Sequence, residues 1–198
     1  MRYLTAKHAL DRSLAAVLLV ALSPAWLVIA VAIAVASGRP VLFSQNRVGL
    51  DGAVFRLRKF RSLSEHPHDP GDPMSVTTPV GRWLRRFGLD ELPQLLNILR
   101  GEMSFVGPRP ALPGQAERYG AFERRRLNVR PGITGLAQVS GRNLISWDER
   151  IRLDVEYVER LSAGLDLAIL FRTPRTVLSG RGVYGKQGRN PDMEPAEK

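Results

Sequence analysis

Two adjacent carboxylates, Asp90 and Glu91, stand at the head of a short apolar run, Leu92-Pro93-Gln94-Leu95-Leu96. The first turn of a helix has free N–H groups and the positive end of a dipole. Both keep a carboxylate ionised and attract phosphate. Two neighbouring carboxylates repel each other, and a hard cation such as Mg2+ relieves that by binding them together with a phosphate. An ionised aspartate can also attack phosphorus and form an acyl phosphate. Plain helix capping accounts for the same two residues with no chemistry at all.

Cations surround the pair in the sequence. Arg58-Lys59-Phe60-Arg61-Ser62 clusters three of them. Gly107-Pro108-Arg109-Pro110 clamps an arginine between two prolines, which lowers the entropy it loses on binding. Arg130-Pro131-Gly132-Ile133-Thr134-Gly135 and Gly141-Arg142-Asn143 are two further loops with glycine and arginine. Glycine lets a backbone approach a ligand closely, and the arginine fork donates two parallel hydrogen bonds to phosphate. Each loop alone is explained by a turn beside a salt bridge. Together they point to a phosphorylated ligand.

The elements that must position these groups follow from the pattern. Val41–Gln45 and Val54–Phe60 read as strands of a β-hairpin joined by Gly49-Leu50-Asp51-Gly52. Residues 64–79 read as a loop, whose His66, His68, Asp69 and Asp72 are a solvated segment or a metal site. Helices are expected over Leu92–Leu99, ended by Gly101, and over Gln115–Asn128. A third runs from Trp147 to Leu161, with a Ser146/Glu149 capping box and an apolar stripe of Trp147, Ile151, Val155, Val158 and Leu161. A fourth, Asp166–Leu178, carries Arg172 and Arg175 and is interrupted by Pro174. It packs in a core or lies in a membrane interface. Lys186–Lys198 reads as a loose polar tail.

Upstream, Leu14–Ala36 is a 23-residue apolar stretch with Ser23 as its only polar side chain. A straight helix of that length is roughly 35 Å, enough to cross a bilayer core. A signal peptide is a second reading, since Ala34-Val35-Ala36 resembles a cleavage site. A third is a re-entrant helix. Ser23-Pro24 sits mid-stretch, where proline bends a helix. Both flanks are basic: Arg2, Lys7 and Arg12 before, Arg39 and Arg47 after. Under the positive-inside rule both ends prefer the cytoplasm. Ser23 can re-satisfy backbone freed by the proline.

The length of 198 residues suits one ordinary domain with a core. The formal charge is +10, and only four of the 29 basic residues are lysine. Codon bias towards arginine is one cause. Phosphate, anionic lipid and nucleic acid are the partners such a charge suits. There is no cysteine, which excludes disulfides, thiolate catalysis and cysteine-bound metal.

The ordered motifs resemble one family. They are Lys59-Phe60-Arg61-Ser62, Leu89-Asp90-Glu91-Leu92-Pro93-Gln94, residues 101–110, residues 130–139 and Gly141-Arg142-Asn143. This set is similar to the bacterial sugar transferases, the monotopic phosphoglycosyl transferases, from Lys7 to about Gly180. The short length resembles their minimal members. The resemblance implies transfer of a sugar phosphate from a UDP-sugar to polyprenol (undecaprenyl) phosphate, giving UMP, as a first membrane step in surface-glycan assembly. By similarity Asp90 is the nucleophile, with a covalent phosphosugar intermediate and ping-pong kinetics. Glu91 helps bind Mg2+. Lys59, Arg61, Arg109, Arg130, Arg142 and Asp166 hold substrate or phosphate, and Ser23-Pro24 is the membrane helix break.

The expected architecture is therefore α/β: a re-entrant helix over residues 1–38, one small catalytic domain with a hairpin and several helices over 39–183, and a tail over 184–198. Its expected seat is the cytoplasmic face of the inner membrane, among membrane lipids and other glycan-assembly enzymes, without nucleic acid. Gly88, Leu136 and Leu63 depart from residues common in the family, which touches the choice of sugar. The rival readings are a basic membrane-anchored protein that binds anionic lipid or nucleic acid, and an inactive scaffold of the same fold.

Overall fold

A computed structural model describes residues 2–64 and 77–183. The histidine-bearing segment around His66 and the tail from Lys186 lie outside the described residues. The rest is a small mixed α/β domain behind a bent helix pair.

Helix α1 (Arg2–Ala21) and helix α2 (Ser23–Ser37) meet at a bend of 63°. Pro24 falls in the first turn of α2, where its missing N–H costs nothing. Ser23 Oγ donates to the Val20 carbonyl at 2.8 Å, so the break satisfies part of its own backbone. Among the described residues no single helix is long and apolar enough to cross a membrane, although the bent pair passes by length and composition.

Strands β1 (Leu42–Val48) and β2 (Val54–Phe60) form the hairpin, with Phe43 opposite Lys59 and Leu42 opposite Phe60. Its turn is a 3-10 segment with Asp51 in the left-handed region. Helix α3 (Pro79–Phe87) follows, capped by Thr78, whose hydroxyl accepts from the Gly81 N–H. It replaces the end of the expected loop: Thr78-Pro79 is a helix start, with proline at its first position. Gly88, at φ 68°, ends it. A 3-10 turn (Leu89–Gln94) leads into helix α4 (Leu95–Arg100), which Gly101 closes in the left-handed conformation.

Two three-residue strands, β3 (Ser104–Val106) and β4 (Gly132–Thr134), pair in parallel. Between them the expected long helix is broken into α5 (Pro113–Ala116), α6 (Ala121–Arg124) and a 3-10 turn over Arg125–Asn128. The cause is Gly120, which is extended and restarts the chain as an N-cap. Helix α7 (Leu136–Ser140) precedes helix α8 (Trp147–Glu159) and helix α9 (Ala163–Ser179). Only half of the expected capping box forms on α8. Ser146 Oγ accepts from the Glu149 N–H at 3.2 Å, while the Glu149 carboxylate accepts from Arg152 instead.

The core forms in patches that tie these pieces together. Ala15 of α1 packs with Phe55, Leu57, Leu95, Ile98 and Met103. Ile33 of α2 packs with Phe60 and Leu84. Val106, Leu136, Val139, Tyr157 and Ile169 join the parallel strands to α7, α8 and α9. A polar knot adds to the first patch. Lys7 meets Asp166 at 2.6 Å, Tyr157 donates to Asp166 at 2.7 Å, and Ser104 donates to Asp11 at 2.6 Å, all buried. Apolar side chains stay exposed on α1 and α2 (Leu10, Val20, Leu27, Val35), on α3 (Trp83) and on α9 (Phe171, Leu178). These helices share that character because their outer faces meet no protein.

Candidate active site

The hairpin, the turn after α3, the segment after β3 and the loop after α7 enclose a cavity of about 720 Å3. Lys59, Asp90, Glu91, Arg109 and Arg142 all line it. They arrive from four separate segments, with Asp90 and Glu91 sharing one. Lys59 projects from the end of β2. Its neighbour Phe60 is buried against Ile33 and Leu84 and anchors that end of the strand in the core. Asp90 and Glu91 sit in the 3-10 turn, held in place by Gly88 before them and by buried Pro93 and Gln94 after them.

Asp90 and Glu91 lie in the first turn of the 3-10 segment, as expected of a helix start, and the α-helix proper follows from Leu95. Cationic side chains add the closest charges. Lys59 Nζ lies 2.8 Å and Arg109 Nη1 3.4 Å from the same Glu91 oxygen, Oε1. Burial would raise the Glu91 pKa, but Lys59 and then Arg109 outweigh it and hold the carboxyl down at about 2. Asp90 goes the opposite way. It is 8% exposed, and burial pushes its pKa up despite the pull of Lys59. The charge of Glu91 raises it further. The two neighbours thus divide into a fixed anion and a carboxyl that gives up its proton reluctantly.

Arg109 is fixed through its backbone. Prolines on both sides have no N–H to donate, so the segment is held by its oxygens. The Gly132 N–H donates to Pro108 O at 2.9 Å, Arg126 Nη2 to Arg109 O at 2.7 Å, and Arg47 Nη1 to Pro110 O at 3.2 Å. Three successive carbonyls are tied to three separate elements. Gly132 is needed for this because its backbone runs against that of Gly107. The glycine serves backbone-to-backbone packing and not, as its motif suggested, approach to a ligand.

Arg142 lies at φ 54°, a left-handed conformation that costs a non-glycine residue energy. Burial lowers its pKa, while Glu91 and Asp90 support its charge. Its Nη1 is buried and has no hydrogen-bond partner among the described residues. A guanidinium in that state is ready for an anionic group entering the cavity.

Three expected site residues have other surroundings. Arg61 lines the cavity wall, but its guanidinium caps the end of α2, donating to Ser37 O, to Gly38 O at 2.6 Å and to Arg39 O at 3.3 Å. Arg130 does not line the cavity. It faces α1, where Arg12 and Asp11 are its charged neighbours. Asp166 does not line it either, because its carboxylate is taken up by Lys7, Tyr3 and Tyr157. Asp166 thereby fastens α1 through Tyr3 and Lys7. Sequence reading also missed Asn97. It is fully buried and ties α4 to β2, donating to Arg56 O at 2.8 Å and accepting from the Arg58 N–H at 3.3 Å.

Among the described residues no three His, Asp or Glu gather into a cation cage. What the cavity offers a cation is two hard carboxylate oxygen donors beside arginines that suit phosphate. That donor set fits Mg2+ shared with a phosphorylated ligand and does not fit a resident ion held by protein alone.

Comparison with known proteins places this geometry in a context. Residues 2–180 match the family model described as bacterial sugar transferase. The uncharacterized sugar transferase EpsL of Bacillus subtilis is 48% identical over 149 residues, covering 74% of each chain. The exopolysaccharide production protein ExoY of Rhizobium meliloti is 38% identical, over 90% of this chain and 88% of that one. The undecaprenyl-phosphate galactose phosphotransferase of Salmonella typhimurium is 39% identical over 74% of this chain. There the chain spans only 35% of the relative's length.

Proposed function

This chain belongs to the bacterial sugar transferase family, and from that premise we propose that it moves a sugar 1-phosphate from a UDP-sugar to polyprenol phosphate. The observation that carries the proposal is Asp90, a buried carboxyl in a cavity with Lys59, Arg109 and Arg142.

In the first half-reaction an Asp90 oxygen attacks the sugar-bearing phosphorus of the donor. A P–O bond to Asp90 forms, the P–O bond to UMP breaks, and UMP leaves with the electron pair. In the second, an oxygen of polyprenol phosphate attacks the same phosphorus. A diphosphate forms, and Asp90 departs as the carboxylate. Lys59, Arg109 and Arg142 take up charge on the phosphates, and Glu91 keeps Lys59 and Arg109 in register. Glu91 would help hold Mg2+ together with the diphosphate, where it neutralises phosphate charge.

Release of UMP by protein in nanodiscs, given Mg2+, undecaprenyl phosphate and a panel of UDP-sugars, tests the reaction. UMP from one sugar is the expected result, and no UMP from any sugar would defeat the proposal. Acid dependence gives a second check. Because burial raises the Asp90 pKa, the nucleophile protonates earlier than an ordinary carboxylate of about 4. The acid limb of kcat/KM for the UDP-sugar, which reports the free enzyme, should therefore lie above that value. A limb at or below it would mean that another group limits the rate.

The same reading makes α1 and α2 a re-entrant pair on the cytoplasmic face of the inner membrane. The 63° bend, the Ser23 hydrogen bond and basic residues on both flanks support it. The chain has no cysteine of its own, so single cysteines placed at the two termini can be labelled from either side. Both should react from the cytoplasmic side. Labelling from opposite sides would make the pair a broken span.

A further inference from the structure

We propose that Asp154 positions the two cavity arginines, Arg109 and Arg142, as one unit, acting through the buried arginines Arg126 and Arg150. The inference rests on the reading of those cavity arginines given above. It adds Asp154, Arg126 and Arg150, of which Arg150 also lines the cavity wall.

Asp154 is fully buried on α8, and Arg126 is 3% exposed. The two form an ion pair, and Arg126 also donates to the Tyr119 hydroxyl while stacking over that ring. The remaining use of the Arg126 fork is the bond to Arg109 O at 2.7 Å. Arg150 stands one helical turn before Asp154, on the same face. It is 4% exposed and donates to Arg142 O at 3.1 Å and to Asn143 Oδ1 at 3.3 Å. Thus each cavity arginine has its own main-chain oxygen held by a second, buried arginine. Asp154 is ion-paired with Arg126, and Arg150 lies one turn away from it on the same face of α8.

A buried arginine–carboxylate pair is a weak source of stability, because desolvation cancels most of its attraction. Its effect here lies in geometry. Arg142 is held in a left-handed conformation that it would otherwise leave, and the hydrogen bond to its carbonyl opposes that escape. Arg109 has no N–H of a neighbour to anchor it, and the bond to its carbonyl does that work instead.

The test compares Arg126→Lys, Arg150→Lys and Asp154→Asn in the full chain in nanodiscs. Lysine keeps the charge facing Asp154, but a single ammonium cannot serve the carboxylate and the carbonyl in the same way. In hydrogen exchange, Arg126→Lys should speed residues 107–111 alone and Arg150→Lys residues 141–144 alone. Asp154→Asn should speed both. In UMP release, Arg126→Lys should lose on the order of 10–100-fold in the wild-type background and nothing further in an Arg109→Ala background. Equal losses in both backgrounds would mean that Arg126 is merely structural. Unchanged exchange at either loop in Asp154→Asn would overturn the coupling. If the wild type released no UMP, the proposed reaction would fail while the exchange pattern still decided this inference.

Discussion

Asp90→Asn should abolish UMP release, by at least about four orders of magnitude, and still melt at or above the wild type. The loss follows because the amide cannot form the bond to phosphorus, and nothing else in the cavity is placed to replace it. Glu91, next to it, is already committed to Lys59 and Arg109. The stability follows from the direction in which burial moves the Asp90 pKa. A folded-state pKa above the unfolded one means that the folded protein prefers the protonated form. At neutral pH the charge is held at the expense of the fold, and asparagine removes that expense. The melting gap should be widest at neutral pH and close as the pH falls through the raised pKa, where wild-type Asp90 is also uncharged. A variant that melts below wild type at pH 7 would show that the surrounding cations make the Asp90 charge net stabilising.

The second large effect is on the scaffold. Gly132→Ala should lower the melting temperature by roughly 6–12 °C, equivalent to about 3 kcal/mol for a chain of this size. A methyl group on Gly132 would lie 2.1 Å from Gly107 N and 2.4 Å from Thr134 O. These are main-chain atoms, so no side chain can swing aside. The parallel pairing of β3 and β4 would have to open, and with it the bond from Gly132 N–H to Pro108 O. Gly114, which has open space around it, is the control, and Gly114→Ala should leave the melt near wild type. Equal melting of the two variants would mean that the pairing yields easily and does not carry the 107–111 segment.

The residues that meet in the cavity could be read from the sequence because their pattern is local. A carboxylate pair, a lysine ending a strand and an arginine between prolines announce themselves within a few residues. The hairpin and the bend at Ser23-Pro24 did so too, through alternation and proline. Arg130 and Asp166 could not be assigned this way. Arg130 sits in a phosphate-like motif and Asp166 entered by resemblance, yet both stand beside α1 and neither lines the cavity. The 115–128 stretch reads as one helix, and the extended Gly120 breaks it. Strands of three residues give no periodicity to detect, so β3 and β4 were invisible. Asp154 did leave a signal. It falls on the face of α8 that carries Ile151 and Val155, and a charge on an apolar stripe asks for a buried partner.

The pinning of residues 107–111 through main-chain oxygens bears on how such a site can change over generations. The holds on the carbonyls of Pro108, Arg109 and Pro110 end on an atom that all amino acids carry, so these three do not depend on which side chain stands at position 109. Lys59 alone would still pair Glu91. A substitution at 109 therefore alters the field in the cavity without first needing a compensating change beneath it, whereas Arg126 and Arg47 have no such freedom. Innovation at this site is cheap at its surface and slow in its foundations.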